Sequence, residues 1–480
     1  MGEKTKFYVD VSSLHKEVTG SCILNTVRFP DGSKKMILVD CGMFQEKDYV
    51  ELNKSFPFIP SNIDHLIITH NHMDHIGRIP FLVKKGYQGK IHMTKATQVL
   101  IKPALYDGVK VFQSRYDSFN EPMLYTTDDV DSTIKLIEGH EYEKGIFLDT
   151  EERIKLTFFM NGHLPGAAIV LLQLYYPGYK KINLLFTGDY SSKNSFFDVN
   201  SLPKEICDDE PITVICESTY GDMNSSEIKE VFVNNIKEAV DAKKQIVCPV
   251  FSLGRTQEVM LKIKQMQDEG LISKSVPIYY QGPLGCKYNL LYESTENVLG
   301  LNENARNFYP ANLTIVTNKQ KEHSIIAKND CKIVLCSSGM GTYGPSRTYL
   351  PAFLSKSNAL IHFTGYLSED SMGRAIYEAE PGSVCQLLGQ EVKKRAQVEY
   401  TSEFSSHAKA DELITFLKRF KHLKCVLINH GEESTKHEFS KRVVNEIEPK
   451  FTAVLGEYLY RIGPYGFANK SYNTKYQPVK

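Results

Sequence analysis

Residues 66–77 constrain the fold of this chain more than any other stretch, and they read Leu-Ile-Ile-Thr-His-Asn-His-Met-Asp-His-Ile-Gly. The opening apolar and β-branched residues predict a short buried strand, and the polar residues after them predict a turn. Four side chains of that turn are metal-ligand types, namely His70, His72, Asp74 and His75. At a strand end, positions two apart point to the same side, so His70 and His72 can share one ion. This mixture of nitrogen and oxygen donors favours a zinc site.

The alternative is a polar surface turn that happens to be rich in histidine. It is the weaker interpretation, because the chain has only 14 histidines among 480 residues and places three of them in this one loop.

The composition predicts a globular protein in a reducing compartment. Basic and acidic residues balance at 57 each, which argues against a general nucleic-acid-binding protein with a basic surface. The ten cysteines include no C-x-x-C pair, which argues against a disulfide framework and a thiolate zinc site. No apolar segment has the length of a membrane span or the position of a signal peptide, so we expect a cytoplasmic protein without a membrane partner.

More ligand-type residues follow strand-like runs elsewhere in the chain. His163 follows the run 154–159, Asp189 follows the run 182–186, and His430 follows the run 426–428. These placements repeat that of His70 and favour ligands, with Asp189 able to bridge two ions. Asp40 follows the run 36–39, and it is either an orienter of a ligating histidine or an ordinary turn carboxylate.

From residue 211 onward, strand patterns alternate with helix patterns, which predicts an inserted βαβ domain with a mostly parallel sheet. We place this domain at 211–390, within a first domain made of residues 1–210 and 391–480. Residues 78–140 are predicted to be helical. The loop of Ser337, Ser338 and Gly339 follows a predicted strand, where backbone N–H groups can hold phosphate, although a glycine after a strand is usually only a turn.

Together these stretches resemble the metallo-β-lactamase family with a β-CASP insertion, and within it the stand-alone relatives of the cleavage-and-polyadenylation-factor endonuclease. The resemblance runs through Asp40-Cys-Gly-Met-Phe-Gln, His70-x-His-x-Asp-His, Glu217-Ser-Thr-Tyr-Gly, the His407 segment and His430-Gly-Glu. It implies an α/β protein, in which an αββα sandwich carries an inserted Rossmann-like β-CASP domain. Because DNA-processing members lack a histidine at the position of His430, the resemblance also favours the RNA-directed branch.

The resemblance further implies a ligand set and catalytic roles. One zinc ion would take His70, His72 and His163, a second would take Asp74, His75 and His430, and Asp189 would bridge them, with Mn²⁺ an alternative metal. Asp74 would also be catalytic, His407 would protonate the leaving sugar oxygen, and Glu217 would hydrogen-bond to His407. Asp40 would orient a ligand, and the loop of Ser337, Ser338 and Gly339 would contact a substrate phosphate.

The function implied is a zinc-dependent ribonuclease that cuts single-stranded RNA endonucleolytically with a hydroxide activated by two metals. The alternative from another enzyme class is a hydrolase of small esters, lactones or thioesters that uses the same ions. A non-catalytic scaffold is disfavoured because all seven ligand positions are intact. The sequence leaves the oligomeric state open, and a homodimer is one possibility.

Overall fold

A computed structural model of the protein describes residues 6–15, 18–45 and 48–472. The chain divides into two compact units. The discontinuous unit comprises Met1–Ser225 and Ser406–Lys480, and the inserted unit comprises Ser226–Ser405. The sequence had placed both boundaries earlier, at 210/211 and 390/391. Residues 1–5, where the sequence indicates no signal peptide, lie outside the described part.

The strands are β1 (Tyr8–Ser13), β2 (Ile23–Arg28), β3 (Lys34–Val39), β4 (His65–Ile67), β5 (Lys90–Thr94), β6 (Ile137–His140), β7 (Ile146–Phe147), β8 (Ile154–Met160), β9 (Ala168–Leu174), β10 (Ile182–Phe186), β11 (Ile212–Cys216), β12 (Gln245–Pro249), β13 (Ile278–Gln281), β14 (Leu313–Ile315), β15 (Lys332–Cys336), β16 (Ala359–Phe363), β17 (Val384–Leu387), β18 (Gln390–Lys393), β19 (Gln397–Tyr400), β20 (Leu423–Ile428), β21 (Phe451–Val454), β22 (Tyr458–Gly463) and β23 (Gly466–Tyr472).

The α-helices are α1 (Met73–Ile76), α2 (Ile79–Lys84), α3 (Lys95–Phe119), α4 (Thr127–Ile134), α5 (Lys204–Asp208), α6 (Phe232–Asp241), α7 (Arg255–Asp268), α8 (Pro283–Ser294), α9 (Glu296–Leu299), α10 (Lys319–Ala327), α11 (Ser346–Leu354), α12 (Met372–Glu378), α13 (Ala410–Leu417) and α14 (Glu433–Ile447). Among the described residues, no helix is both long enough and apolar enough to cross a bilayer.

The discontinuous unit is a sandwich of two sheets with helices on both outer faces. One sheet has the order β23-β22-β1-β2-β3-β4-β5-β6, and the other has the order β21-β20-β11-β10-β9-β8-β7. Alternating residues of a strand face opposite sides, so Val39 of β3 enters the core between the sheets while Leu38 packs in the core under α1–α4. The outer face of the second sheet packs against α13 and α14 through Leu413 and Phe439. The layers are therefore helix, sheet, sheet, helix.

The inserted unit contains a six-stranded sheet with the order β14-β13-β15-β12-β16-β19. All its described strand pairs are parallel, as the strand–helix alternation of the sequence predicted. The apolar runs of β12, β15 and β16 are fully buried, which is typical of parallel strands covered on both faces.

Strand pairing shows why the two unit boundaries differ from the sequence-based ones. β11 pairs with β10 and β20 and so belongs to the sandwich, although it lies after residue 210. β19 pairs with β16 and so belongs to the inserted unit, although it lies after residue 390.

The helical prediction for residues 78–140 is only partly right. The structure has α2, α3 and α4 there, but it also has β5 and β6, which extend the first sheet to its edge. The two strands are short, and their histidines and glutamate interrupt the apolar pattern by which a strand is recognised.

Candidate metal centre

The ligand-type side chains lie where strands of the discontinuous unit end. His70 and His72 follow β4, and His163 follows β8. Asp189, Glu217 and His430 follow β10, β11 and β20, which are parallel neighbours in one sheet. Because the carboxyl ends of parallel strands meet at one sheet edge, segments distant in sequence deliver their side chains to one place.

Four of these residues form a first group, made of His70, His72, His163 and Asp189. His72 Nδ1 lies 3.2 Å from His70 Nε2 and 3.1 Å from His163 Nε2. Asp189 Oδ2 lies 3.4 Å from His70 Nε2 and 3.7 Å from His163 Nε2. Three imidazoles and a carboxylate thus converge on one point.

A second group is made of Asp74, His75, Asp189 and His430. The Nε2 atoms of His75 and His430 lie 3.2 Å apart, and Asp189 Oδ1 lies 3.2 and 3.3 Å from them. Asp74 Oδ2 lies 3.6 Å from His430 Nε2. Asp189 therefore presents one oxygen to each group.

The buried carboxylate of Asp189 tests whether these residues fit metal ions. Its Oδ1 atom is buried and makes no hydrogen bond of normal geometry with any described residue, although two imidazole nitrogens are close to it. A buried carboxylate is costly unless positive charge lies beside it. A divalent cation between Asp189 and the two imidazoles supplies that charge, and so does protonation of His75 and His430, whose pKa values Asp189 raises. The donor set fits divalent metals that accept imidazole and carboxylate ligands.

The protonation of the first group also suits metal binding, because a ligating imidazole must be neutral. Burial lowers the pKa of His72 to about 4. Burial likewise lowers the pKa of His70 and of His163 well below the usual value. All three rings therefore present lone pairs at neutral pH.

Asp40 holds His75 from the side opposite the centre. Its Oδ2 atom lies 2.7 Å from His75 Nδ1, and its carboxylate accepts hydrogen bonds of 2.8 Å from both the backbone N–H and the hydroxyl of Thr69. A contact of this kind fixes which ring nitrogen faces the metal. Of the two alternatives that the sequence left open for Asp40, this placement supports an orienting residue over an ordinary turn carboxylate.

Glu217 and His407 form a hydrogen-bonded pair beside the two groups. His407 Nδ1 lies 2.9 Å from Glu217 Oε2, and His407 Nε2 lies 3.7 Å from Asp189 Oδ2. The carboxylate of Glu217 also accepts hydrogen bonds from the Thr219 hydroxyl and the Tyr190 backbone N–H. Glu217, His407 and His430 lie close enough together to hold an ion themselves.

Sequence reasoning did not single out three residues that support this arrangement. The Thr219 hydroxyl connects Glu217 to His430 Nδ1 at 3.0 Å. Thr69 supports Asp40. Asn161 donates to the carbonyl of Asp189 at 2.7 Å and accepts from the backbone N–H of His163 at 3.0 Å, so it ties two ligand loops together. Threonine and asparagine are common in turns, and the only available signal was their position beside the ligand motifs.

Gly42 permits the close approach that seats the histidine motif. A Cβ atom at this position would lie 1.5 Å from the carbonyl oxygen of Asp74. The neighbouring backbone forms hydrogen bonds of 2.8 Å from Cys41 to His75 and from Ser21 to Asp74. The backbone of Asp74 and His75 is thus held by hydrogen bonds from the loop after β3 and from the segment before β2.

The predicted phosphate loop belongs to the inserted unit and not to the unit that carries the ligands. Ser337, Ser338 and Gly339 follow β15, at the carboxyl end of a central strand of the six-stranded sheet. The loop is closed by hydrogen bonds from the Ser338 hydroxyl to the Tyr343 carbonyl at 3.3 Å and from the Ser346 N–H to the Ser337 carbonyl at 2.8 Å.

Three family sequence profiles match consecutive parts of the chain. Residues 25–222 match the metallo-beta-lactamase superfamily, and residues 256–376 match the Beta-Casp domain. Residues 391–452, which include His407 and His430, match the Zn-dependent metallo-hydrolase RNA specificity domain.

Curated relatives match over most of the chain. A ribonuclease of Thermus thermophilus is 30% identical over 427 residues, which are 87% of this chain and 91% of that protein. Subunit 3-I of the cleavage and polyadenylation specificity factor of Arabidopsis thaliana is 30% identical over 92% of this chain and 61% of its own length. An endoribonuclease of Schizosaccharomyces pombe is 29% identical over 83% of this chain, and the match covers 51% of that protein.

The layered sandwich, the inserted parallel sheet and these matches confirm the fold and the family that the sequence predicted. The chain belongs to the metallo-β-lactamase family of metal-dependent hydrolases that carry a β-CASP domain.

Proposed function

We propose that this protein is a zinc-dependent ribonuclease that cuts single-stranded RNA endonucleolytically. The observation that carries the proposal is the pair of Glu217 and His407 beside two ligand groups that share Asp189. The RNA specificity profile over residues 391–452 and the ribonuclease relatives support RNA as the substrate.

The two ligand groups hold the metal in this proposal. His70, His72 and His163 would hold one zinc ion, Asp74, His75 and His430 would hold the other, and Asp189 would belong to both groups. When bound, a divalent pair supplies Lewis acidity toward water and the phosphodiester. Manganese is the alternative metal, because this donor set also accepts it.

The accessible side of the centre defines where a substrate approaches. His70, His75, His163, Asp189 and His430 are buried, whereas His72, Asp74 and His407 are half-buried. A phosphodiester therefore reaches the centre from the side of these last three residues. Asp74 is thus both a ligand and a catalytic residue on the substrate side.

His407 is the proton donor to the leaving sugar oxygen. Glu217 holds Nδ1 of this ring at 2.9 Å, so Nε2 points toward the ligand groups, 3.7 Å from Asp189 Oδ2. A histidine is suited to give a proton near neutral pH. Thr219 and Tyr190 fix the carboxylate of Glu217 on its other side, so the pair keeps its orientation while the proton moves.

The loop of Ser337, Ser338 and Gly339 is proposed as a contact for an RNA phosphate. It lies at the carboxyl end of a parallel strand, where anions commonly bind. The N–H groups of Ser337 and Ser338 donate to the carbonyls of Gln281 and Tyr343, so the backbone donor proposed for the phosphate is the N–H of Gly339.

The test uses a circular single-stranded RNA, which has no end for an exonuclease to enter. The zinc-loaded protein is expected to linearise the circle, and His407→Ala is expected to do so about 10² to 10⁴ times more slowly with unchanged zinc content. His437→Ala removes an exposed histidine of α14 and should cut as fast as the unaltered chain.

Three results would contradict parts of the proposal. A circle that stays intact while linear RNA is shortened would exclude the endonucleolytic mode. RNA left intact while a thioester or lactone is hydrolysed would favour the small-ester hydrolase. Equal rates for His407→Ala and the unaltered chain would remove the proton-donor role.

A further inference from the structure

A second cluster of histidines lies at one edge of the eight-stranded sheet, apart from the catalytic ligands. β4, β5 and β6 are parallel neighbours there, and they carry His65, His92 and His140. His92 is opposite Glu138 in the strand register, and His140 is opposite Thr94. The side chains of alternate residues share one face, so His92, Glu138 and His140 lie together.

The three histidine rings form a row across β4, β5 and β6, and each ring contacts the next. His65 Nδ1 lies 3.2 Å from His92 Nε2, and His92 Nδ1 lies 3.1 Å from His140 Nε2. Glu138 Oε2 lies 3.8 Å from His92 Nδ1. One donor atom each from His92, Glu138 and His140 thus falls within 4.8 Å of the other two.

These separations match a metal site. Two ligands at about 2.0–2.1 Å from a tetrahedral zinc ion are themselves about 3.3 Å apart. Two imidazoles and a carboxylate are donors that zinc and other first-row dications accept.

The remaining contacts of the cluster leave these donor atoms available. His92 Nε2 faces His65 Nδ1, and a hydrogen bond donated by Nε2 leaves the lone pair of His92 Nδ1 for an ion. Lys90 Nζ occupies the other oxygen of Glu138, Oε1, at 2.8 Å, so Oε2 remains free to face the imidazoles. Burial lowers the pKa of His92 to about 3 and also lowers the pKa of His65 and of His140.

The competing explanation is a chain of hydrogen bonds among neutral imidazoles. Such a chain needs only the two close ring contacts, and it gives no reason for Glu138 Oε2 to face the same point as the two imidazoles. His92 is buried, whereas Glu138 and His140 are half-exposed, so an ion has a way in from solvent. The ring of His140 stacks on Phe158 with its centroid 6.1 Å away, which holds that imidazole in place.

We propose that His92, His140 and Glu138 form a separate binding site for a transition-metal dication, zinc in the first instance, with His65 as the hydrogen-bond partner of His92. Three protein donors leave one coordination position for water. The site does not depend on the ribonuclease proposal, because it shares no ligand with the catalytic groups.

The site is joined to the loop that carries the catalytic ligand His163. Thr94 ends the strand of His92, and its hydroxyl donates to the Gly166 carbonyl at 2.7 Å. Tyr142 lies two residues after His140, and its hydroxyl donates to the Ala167 carbonyl at 2.9 Å. An ion bound to β5 and β6 therefore stiffens the two strands on which the His163 loop rests.

The experiment measures metal content after dialysis against buffered free zinc. The unaltered chain is expected to retain about one zinc ion per chain more than His140→Gln, because each site holds one ion. His140→Phe removes the ligand nitrogens but keeps an aromatic ring against Phe158. It should lose the same zinc ion without a change in packing. His437→Gln removes an exposed histidine of α14 and should retain as much zinc as the unaltered chain.

The comparison between variants does not depend on how many ions the catalytic groups hold. Cobalt serves as a second probe, and its visible absorption should lose one component in both His140 variants. Added zinc should raise the Tm of the unaltered chain more than that of either variant. Equal zinc content and equal cobalt spectra in all four proteins would overturn the proposal and leave the hydrogen-bonded chain as the explanation.

Discussion

At the scale of single residues, the orientation of the imidazoles in the candidate centre depends on their outward-facing ring nitrogens. In three of the rings, this nitrogen contacts a residue outside the two ligand groups. His75 contacts Asp40, His430 contacts Thr219, and His163 Nδ1 lies 3.0 Å from the carbonyl oxygen of Ser406. Each contact sets the tautomer and orientation of a ring before any ion arrives.

Asp40→Asn tests this support directly. Asp40 has a φ of 60°, a conformation that asparagine tolerates, so the backbone should keep its course. The amide cannot accept all three hydrogen bonds that the carboxylate receives from Thr69 and His75. We expect zinc retention to fall by about 10- to 100-fold, measured as release to a chelator.

Asp128→Asn is the matched control for that measurement, because Asp128 is exposed on α4. Release rates that are the same for both variants would show that His75 needs no carboxylate partner.

The sequence indicated the ligand-type residues because histidine and aspartate at successive strand ends are rare enough to be informative. It did not indicate Thr219 or Asn161, whose importance comes from contacts between segments far apart in the chain. No local pattern carries that information.

At the scale of secondary-structure elements, α7 carries a buried carboxyl group that should make stability depend on pH. The side chain of Glu258 is 15% exposed, and its Oε2 lies 3.6 Å from Arg255 Nε. Burial raises the pKa of Glu258 to about 7, and the attraction of Arg255 opposes only part of that change.

The folded chain therefore binds more protons than the unfolded chain between the unfolded pKa, about 4.3, and the folded pKa. The contribution of Glu258 to stability is complete below the lower value and is lost as the pH rises through about 7. The loss amounts to roughly 4 kcal/mol.

Glu258→Gln should show a smaller fall in Tm between pH 5 and pH 8 than the unaltered chain, because glutamine has no proton to lose. Glu238→Gln, at an exposed position of α6, should leave the fall unchanged. If Glu258→Gln leaves the fall unchanged as well, the carboxyl of Glu258 is not the titrating group.

The long apolar runs made the central strands predictable, since β10 begins and ends with the run 182–186 that the sequence indicated. The edge strands β5 and β6 were not predicted, because polar side chains at one end of the sheet replace the apolar alternation.

At the scale of the whole molecule, all residues of the candidate metal centre lie in the discontinuous unit. Its ligands follow β4, β8, β10 and β20, so bound ions would join both sheets of the sandwich. The inserted unit supplies none of the ligands in the two groups.

Removal of metal should therefore loosen one unit selectively. Hydrogen exchange measured with and without a chelator should show faster exchange at the carboxyl ends of β10, β11 and β20 in the stripped protein. The amides of β12 and β15 should exchange at the same rate in both samples. Faster exchange that is equal in both units would show that the metal stabilises the two units as one.

The αββα layers and the parallel inserted sheet could be predicted from the periodicity and from the family motifs. The boundaries between the units could not, because β11 and β19 look like any other buried strand until their pairing partners are known.

The hydrogen bond between Glu217 and His407 joins one residue that precedes the inserted unit in the sequence to one that follows it. During synthesis, Glu217 leaves the ribosome long before its partner does, and the ligand His430 appears later still. A chain growing from its N-terminus can fold early segments first, but it cannot complete this set of side chains until His430 has been made. The second ligand group therefore cannot form before the whole inserted unit has been synthesised.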